Sequence, residues 1–358
     1  MDFIFTIGST IVEQLQKPTL AFLIAGMMLA ALGSKFEIPE PVYKFIVILL
    51  LLKVGMGAGM SIRDADLLSL MVPAIGATLL GIGIVFLGSK TLARMRGVAE
   101  MDALATVGLF GAVSASTLAA GMAMLDDSGI AYEGYIGALY PFMDIAALVT
   151  AIVLAKLSAA RRVTASNMVI NGDGTAAMGT PAPAKDHQPG EDTSTVVRGI
   201  LVDTFRSPAI SALVAGLCLG ILTEPDTVFK SFYEPLFRGL LSLLMLIMGI
   251  EAWARFAELR KVAHAYILYG ITAPIIHGFM GFGVGLVAHH LTEFSEGGVI
   301  LLAVMAASSS DISGPPTLRA ALPEANSSAY VGTSTGLGTP IAILSIPLFM
   351  ALAELAIG

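Results

Sequence analysis

Long apolar runs dominate the chain, separated by short clusters of charged and turn residues. A bilayer core about 30 Å thick takes roughly 20 apolar residues per helix, fewer where flanking side chains reach the interface. On that measure the pattern predicts ten membrane helices, at about 19–32, 45–60, 67–87, 103–124, 136–157, 208–222, 236–250, 263–288, 298–322 and 329–357. The first and sixth are short, and each begins at a Lys-Pro or Ser-Pro pair, Lys17-Pro18 and Ser207-Pro208. One long polar stretch, 158–206, interrupts the series. It holds Asn171, Gly172, Asp173, Gly174, Pro181, Pro183 and Pro189 and few large apolar residues, so it cannot bury a core. It reads as a mostly disordered linker, ending in a short amphipathic start to the sixth helix.

The pattern repeats itself. Lys17-Pro18 followed by Gly26 matches Ser207-Pro208 followed by Gly216 at an offset of 190 residues. Val113-Ser114-Ala115 matches Ile312-Ser313-Gly314 at 199, and Tyr140-Pro141 matches Thr339-Pro340 at the same offset, with Gly137 opposite Gly336. Each half has five helices, an odd number, so the second half enters the bilayer from the opposite side. The expected fold is all-α, with ten transmembrane helices as two inverted five-helix repeats with helices 4 and 9 interrupted: residues 1–157, the linker 158–206, and residues 207–358. Inverted repeats characterise secondary transporters, whose sites lie near the midplane where interrupted helices meet.

Composition narrows the class further. Only 13% of the 358 residues are charged, against roughly 25% in soluble domains. The net charge of −7 is thinly spread and offers no basic patch for nucleic acid. Lys and Arg are nevertheless placed unevenly: fifteen follow odd-numbered helices and four lie on the other face. Without the linker the bias is still nine to four. The positive-inside rule therefore puts the linker in the cytoplasm and both termini outside. Met1-Asp2-Phe3 carries no basic segment, so no removable signal peptide is expected. Cys218 is the only cysteine, in an apolar run where burial is expected, and excludes an internal disulfide.

Two helices carry polar runs at mid-membrane. The fourth contains Ser114, Ala115, Ser116 and Thr117; the ninth contains Ser308-Ser309-Ser310-Asp311-Ile312-Ser313-Gly314-Pro315-Pro316-Thr317. Consecutive prolines cannot continue a helix but can begin one, with Ser313 as the cap. The ninth helix is therefore expected to be two half-helices. A half-helix start presents free N–H groups and about half a positive charge, which suits an anion. Irregular backbone at this depth is tolerated only where protein buries it or it lines a cavity. Ser114, Ser116, Thr117, Ser313 and Thr317 add hydroxyls around Ala115 and Gly314, giving a neutral, donor-rich anion cradle. Arg319 is expected toward the cytoplasmic opening. A close-packing role for these small hydroxyls is the alternative.

Intramembrane acids are costly and mark functional sites. Asp144 and Asp311 qualify, and with Ser309, Ser310 and Thr339 they form the candidate sodium ligands. The competing reading is that either Asp caps a half-helix or pairs with Lys53. His277 is expected to be a satisfied buried histidine, with His289 and His290 solvated. No HExxH, CxxC, Walker loop or nucleophile elbow occurs, so hydrolytic and ATP-driven chemistry lacks the residues it needs.

Residues 107–114 (VGLFGAVS), 138–144 (ALYPFMD), 232–241 (FYEPLFRGLL) and 308–319 (SSSDISGPPTLR) closely resemble the SbtA family of sodium-dependent bicarbonate transporters. The likeness covers nearly the whole chain outside the linker. It implies a bicarbonate substrate, sodium as the coupling ion, and a place in the carbon-concentrating mechanism of a cyanobacterial plasma membrane. It also implies a gate part (helices 1, 2, 6 and 7), a core part (helices 3–5 and 8–10) and a homotrimer. A PII-like trimeric regulator that binds adenine nucleotides would inhibit from the cytoplasmic face. The chain departs from the family pattern at Ala115 and Ala307, where relatives carry Gly and Ser. The residues alone leave two alternatives open: sodium symport of another small anion, and a membrane receptor or scaffold for the regulator.

Overall fold

The computed structural model describes residues 12, 15–36, 38–64, 67–171, 198–199, 202, 205–259 and 264–358. Among them every regular element is helical. The first half contributes α1 (Pro18–Ala31), α2 (Glu40–Asp64), α3 (Leu67–Thr91), α4 (Glu100–Gly111), α5 (Ala115–Ser128) and α6 (Tyr140–Asn171). The second half contributes α7 (Pro208–Leu222), α8 (Glu234–Leu259), α9 (His264–Thr292), α10 (Glu296–Ala307), α11 (Gly314–Ala321), α12 (Ser327–Thr333) and α13 (Thr339–Ala356).

Seven helical segments among the described residues are long and apolar enough to cross a membrane, and Pro18–Ala31, Pro208–Leu222 and Glu296–Ala307 are shorter apolar helices. Large side chains such as Leu79, Phe86, Leu268, Ile276 and Phe279 stand exposed on the outside of the bundle. A water-facing surface would not carry them in such density, and lipid contact accounts for them. Cys218, expected to be buried, is among the exposed positions, because an apolar run in a membrane helix has a lipid-facing side as well as a buried one.

Glycine decides how the two halves join. A Cβ on Gly26 of α1 would strike the Leu246 carbonyl of α8, and one on Gly249 would strike the Leu23 carbonyl. Gly55 and Gly59 of α2 likewise face Gly216 and Gly220 of α7. Small residues let backbones approach within reach of dispersion forces, which drive association where lipid removes the hydrophobic term. The first helix of each half thus packs on the second helix of the other.

Irregular turns precede the last helix of each half. A 3-10 segment, Gly134–Leu139, leads into α6, and a π segment, Ser334–Gly338, leads into α13. Gly137 packs against Val54 of α2 and Gly336 against Arg255 of α8, so both turns meet the paired helices at a glycine. A second π segment, Phe229–Tyr233, leads into α8.

The helix expected to end near residue 157 continues to Asn171. Residues 158–170 contain neither Gly nor Pro, and the first strong breaker is Gly172. The helix therefore runs on into what was read as linker, of which 172–197 lies outside the described residues. Of the amphipathic start expected before the sixth helix, residues 198, 199, 202 and 205 are described and helical.

Candidate anion and cation site

Both expected interruptions are present. Residues 112–114 separate α4 from α5, and residues 308–313 separate α10 from α11. Each break is tied to the other. The Ser114 N–H donates to Ser308 Oγ at 3.0 Å, while the Ser310 N–H donates to the Leu109 carbonyl at 2.8 Å. Backbone groups that the breaks release are thereby satisfied inside the protein, as the bilayer interior demands.

At the α5 start the hydroxyls form a directed chain. Ser114 Oγ accepts from the Thr117 N–H at 3.1 Å and from the Thr117 hydroxyl at 3.0 Å. Ser116 donates to Asp311 Oδ2 in a short contact. A hydroxyl has one proton to donate. Ser116 spends its proton on Asp311, so in the 2.9 Å Ser114–Ser116 bond Ser114 is the donor. The order is Thr117, Ser114, Ser116, Asp311.

The α11 start is wired the same way. The Gly314 N–H donates to Ser310 Oγ at 2.9 Å, and Ser310 pairs with Ser313 at 3.0 Å. Ser313 donates to Asp144 Oδ2 at 3.1 Å, which makes Ser310 the donor in its bond with Ser313. Tyr140 adds its hydroxyl to Ser313 at 3.1 Å, again as donor. Asp144 Oδ1 takes the Val113 N–H at 3.2 Å, which brings the other break to the same carboxylate. Ser313 is thus no cap: it has helical backbone angles and no cap bond, and Ser310 accepts from the first-turn N–H instead. The π-free loop from 308 to 313 curls back, placing Ser310 and not Ser313 over the helix end.

The structure brings the expected residues into three adjoining groups. Ser114, Ser116 and Thr117 gather with Asp311; Ser313, Gly314 and Ser310 gather with Asp144. Ser309 and Thr339 pair at 3.3 Å, and Ser334 donates to Ser309 at 2.9 Å. Thr317 donates to the Ser313 carbonyl at 2.9 Å, and Ala115 is buried in the first turn of α5. Asp144, Ser114, Ser308, Ser309, Ser310, Ser313, Ser334 and Thr339 have no solvent-accessible surface, whereas Asp311 is half-buried. The buried Oδ1 of Asp311 lacks a hydrogen-bond partner among the described residues.

Tyr140, Ser308, Ser334 and the Val113 amide are members that sequence reasoning did not single out. Ser308 lay inside the noticed serine run and Tyr140 inside the noticed Tyr-Pro pair. Ser334 is marked only by the π turn, which no local pattern announces.

Three side chains depart from expectation. Lys53 pairs with neither Asp; its ammonium lies over the rings of Phe237 and Phe229. His277 is buried against Phe110 and Tyr269, and its Nδ1 has no partner among the described residues. His289 is not simply solvated, since its Nδ1 bonds the Phe294 carbonyl at 2.6 Å. Arg319 is exposed.

Electrostatics favour joint occupancy by a cation and an anion. Two half-helix starts supply about one positive charge in sum, and two ionised carboxylates supply two negative ones. An added anion alone would face an excess of negative charge. With a monovalent cation already bound, the dipoles and cation would balance the carboxylates and leave room for an anion. The free N–H groups expected at both half-helix starts are not present at α11, because Ser310 takes that of Gly314 and Pro315 and Pro316 carry none.

No curated protein matches the chain. Residues 18–354 match the model of the Na+-dependent bicarbonate transporter superfamily. That span is nearly the whole sequence, and the chain belongs to this SbtA-type family: a multi-pass membrane protein that transports bicarbonate in a sodium-dependent manner, and not an enzyme.

Proposed function

We propose, from that membership, that the chain is a sodium–bicarbonate symporter whose ions meet where α5 and α11 begin. The observation that carries the reading is the pair of relays, each running from a half-helix N–H through two hydroxyls to a carboxylate. Bicarbonate lies between Ser114, Ala115, Ser116 and Thr117 on one side and Ser313, Gly314 and Thr317 on the other. Sodium is held by oxygens from Asp144, Asp311, Ser309, Ser310 and Thr339, with the unpartnered Asp311 Oδ1 the atom most in need of a cation. Every hydroxyl proton in the two relays is committed within the protein. Sodium on the carboxylates would compete for their lone pairs and release Ser116 and Ser313 to donate to bicarbonate.

The architecture in this reading is ten spans in two inverted five-helix repeats. The matched breaks, the paired turns before α6 and α13, and Pro73 and Pro274 inside α3 and α9 support it. The glycine-packed α1, α2, α7 and α8 form the gate, and the remaining helices form a core that moves against it. The reading extends to a homotrimer in a cyanobacterial plasma membrane, both termini outside, serving the carbon-concentrating mechanism. A PII-like regulator inhibits it from the cytoplasm. Uptake of labelled bicarbonate into vesicles, with sodium and with potassium in its place, tests the central part. Equal uptake in both salts would refute symport.

A further inference from the structure

Lys53 stands near the middle of α2, inside a segment apolar enough to span the membrane. Its Nζ lies 4.2 Å from the ring centroid of Phe237 and 5.7 Å from that of Phe229. No ion pair or hydrogen bond reaches it among the described residues. Asp126 and Glu234 act on it only from a longer range.

An ammonium has three donors, and ring faces answer its charge without accepting all of them. Leaving such a group half-buried in a bilayer is expensive unless something occupies it. The placement of the rings is itself unusual. Phe229 opens the π segment Phe229–Tyr233, and π turns insert an extra residue that re-aims side chains, often at functional sites. The Phe229 ring lies beside Gly57, one turn along α2 from Lys53, where a Cβ would meet it at an ordinary contact distance of 3.6 Å. The rings position the ammonium without neutralising it.

The location matters as much as the charge. Asp126 belongs to the last turn of α5, the half-helix whose first turn holds Ser116 and Thr117. Arg238, the residue after the Phe237 that meets the Lys53 ammonium, pairs with Asp127 at 2.7 Å. Eleven residues of helix rise about 16 Å, so Lys53 lies toward the far end of the element that starts at the anion cradle. In the orientation set out above, that end faces outside.

We infer that Lys53 is a transient binding site for a small monovalent oxyanion on its way to the α5 start. The inference rests on the symport reading and names a waypoint within it. Asp126 and Glu234, at longer range, shorten the anion's stay, and the ring faces hold the ammonium in place between visits.

The test compares Lys53→Met, Lys53→Arg and the parent in vesicles loaded for sodium-driven bicarbonate uptake. Met keeps contact with both rings and removes the charge. It should raise the bicarbonate KM about tenfold, the loss of one charge-assisted hydrogen bond, with the maximal rate and the sodium half-saturation held. Arg should restore most of the affinity. Nitrate should compete with bicarbonate in the parent and more weakly in Lys53→Met. An unchanged KM in Lys53→Met, or equal loss of maximal rate in both variants, overturns the inference. Should the parent itself show no sodium-dependent uptake, the symport reading fails. The waypoint is then judged by equilibrium binding of labelled bicarbonate to purified parent and Lys53→Met protein, where equal binding overturns it.

Discussion

Ser313→Ala deletes one hydroxyl that serves three partners. It donates to Asp144 at 3.1 Å and accepts from Tyr140 at 3.1 Å and from Ser310 at 3.0 Å. The helix start is untouched, because the Gly314 N–H is capped by Ser310. Two separate losses follow. A donor that the anion recruits is gone, which removes one hydrogen bond to a charged group, about 1.5–3 kcal/mol. At 1.4 kcal/mol per decade, bicarbonate affinity should fall roughly ten- to a hundredfold. The buried Tyr140 hydroxyl is also orphaned, at about 1–3 kcal/mol of stability. A second substitution separates the two. Tyr140→Phe added to Ser313→Ala removes the phenol orphan and leaves only the Ser310 hydroxyl without its acceptor, so thermal stability in detergent should recover in part while bicarbonate affinity stays low. The assay is half-saturation of labelled bicarbonate uptake at saturating sodium, with surface expression matched, beside a melting curve of purified protein. Recovery of affinity in the double variant would show that the loss came from an unpaired phenol and not from a missing donor. Parental affinity in Ser313→Ala alone would place the anion elsewhere. Ser114→Ala is the less clean twin, because Ser114 also caps α5 through the Thr117 N–H. It should cost a further ~1 kcal/mol of stability for the lost cap.

Three other outcomes follow from the same structure. Asp144→Asn and Asp311→Asn should each raise the sodium concentration for half-maximal uptake, and unchanged sodium dependence in both would remove them from the cation site. A tag placed within residues 172–197 should be reached only from the cytoplasm and tags at either terminus only from outside, so a terminus labelled from the cytoplasm would contradict the inverted arrangement. Gly26→Leu and Gly216→Leu each drive a side chain into a backbone carbonyl across a helix pair. Both should lower the melting temperature more than Gly239→Leu, whose Cβ meets nothing nearby.

The interruptions were legible because proline and serine state their preferences locally. Pro315-Pro316 cannot continue a helix and the polar run at 114–117 marks the other break, but the cap was expected at Ser313, whereas Ser114 and Ser310 hold that role. The helices were legible from hydropathy, except where composition is neutral: residues 158–170 mix polar and apolar side chains and contain no breaker, and the helix continues through them. The partnerships across the site were not legible. Nothing in the order of residues says that Ser116 meets Asp311 while Ser313 meets Asp144, since that pairing arises from how the two breaks cross in space. The same holds for Ser310, which outcompetes Ser313 as the cap because the loop from 308 to 313 folds back over the helix start. Lys53 suggested an ion pair by its rarity in an apolar run, yet its nearest company is aromatic: Phe237 from α8, with Phe229 added from a π turn that no periodicity reveals.

The central claim is that sodium and bicarbonate occupy adjoining places and each makes room for the other. Linkage requires the effect to be reciprocal and equal in free energy. The most direct measurement is equilibrium binding of labelled bicarbonate to the purified protein across a sodium titration, paired with sodium binding across a bicarbonate titration. The account predicts that each ion tightens the other by the same factor, and that potassium does not substitute. Bicarbonate binding of equal strength with and without sodium would contradict it.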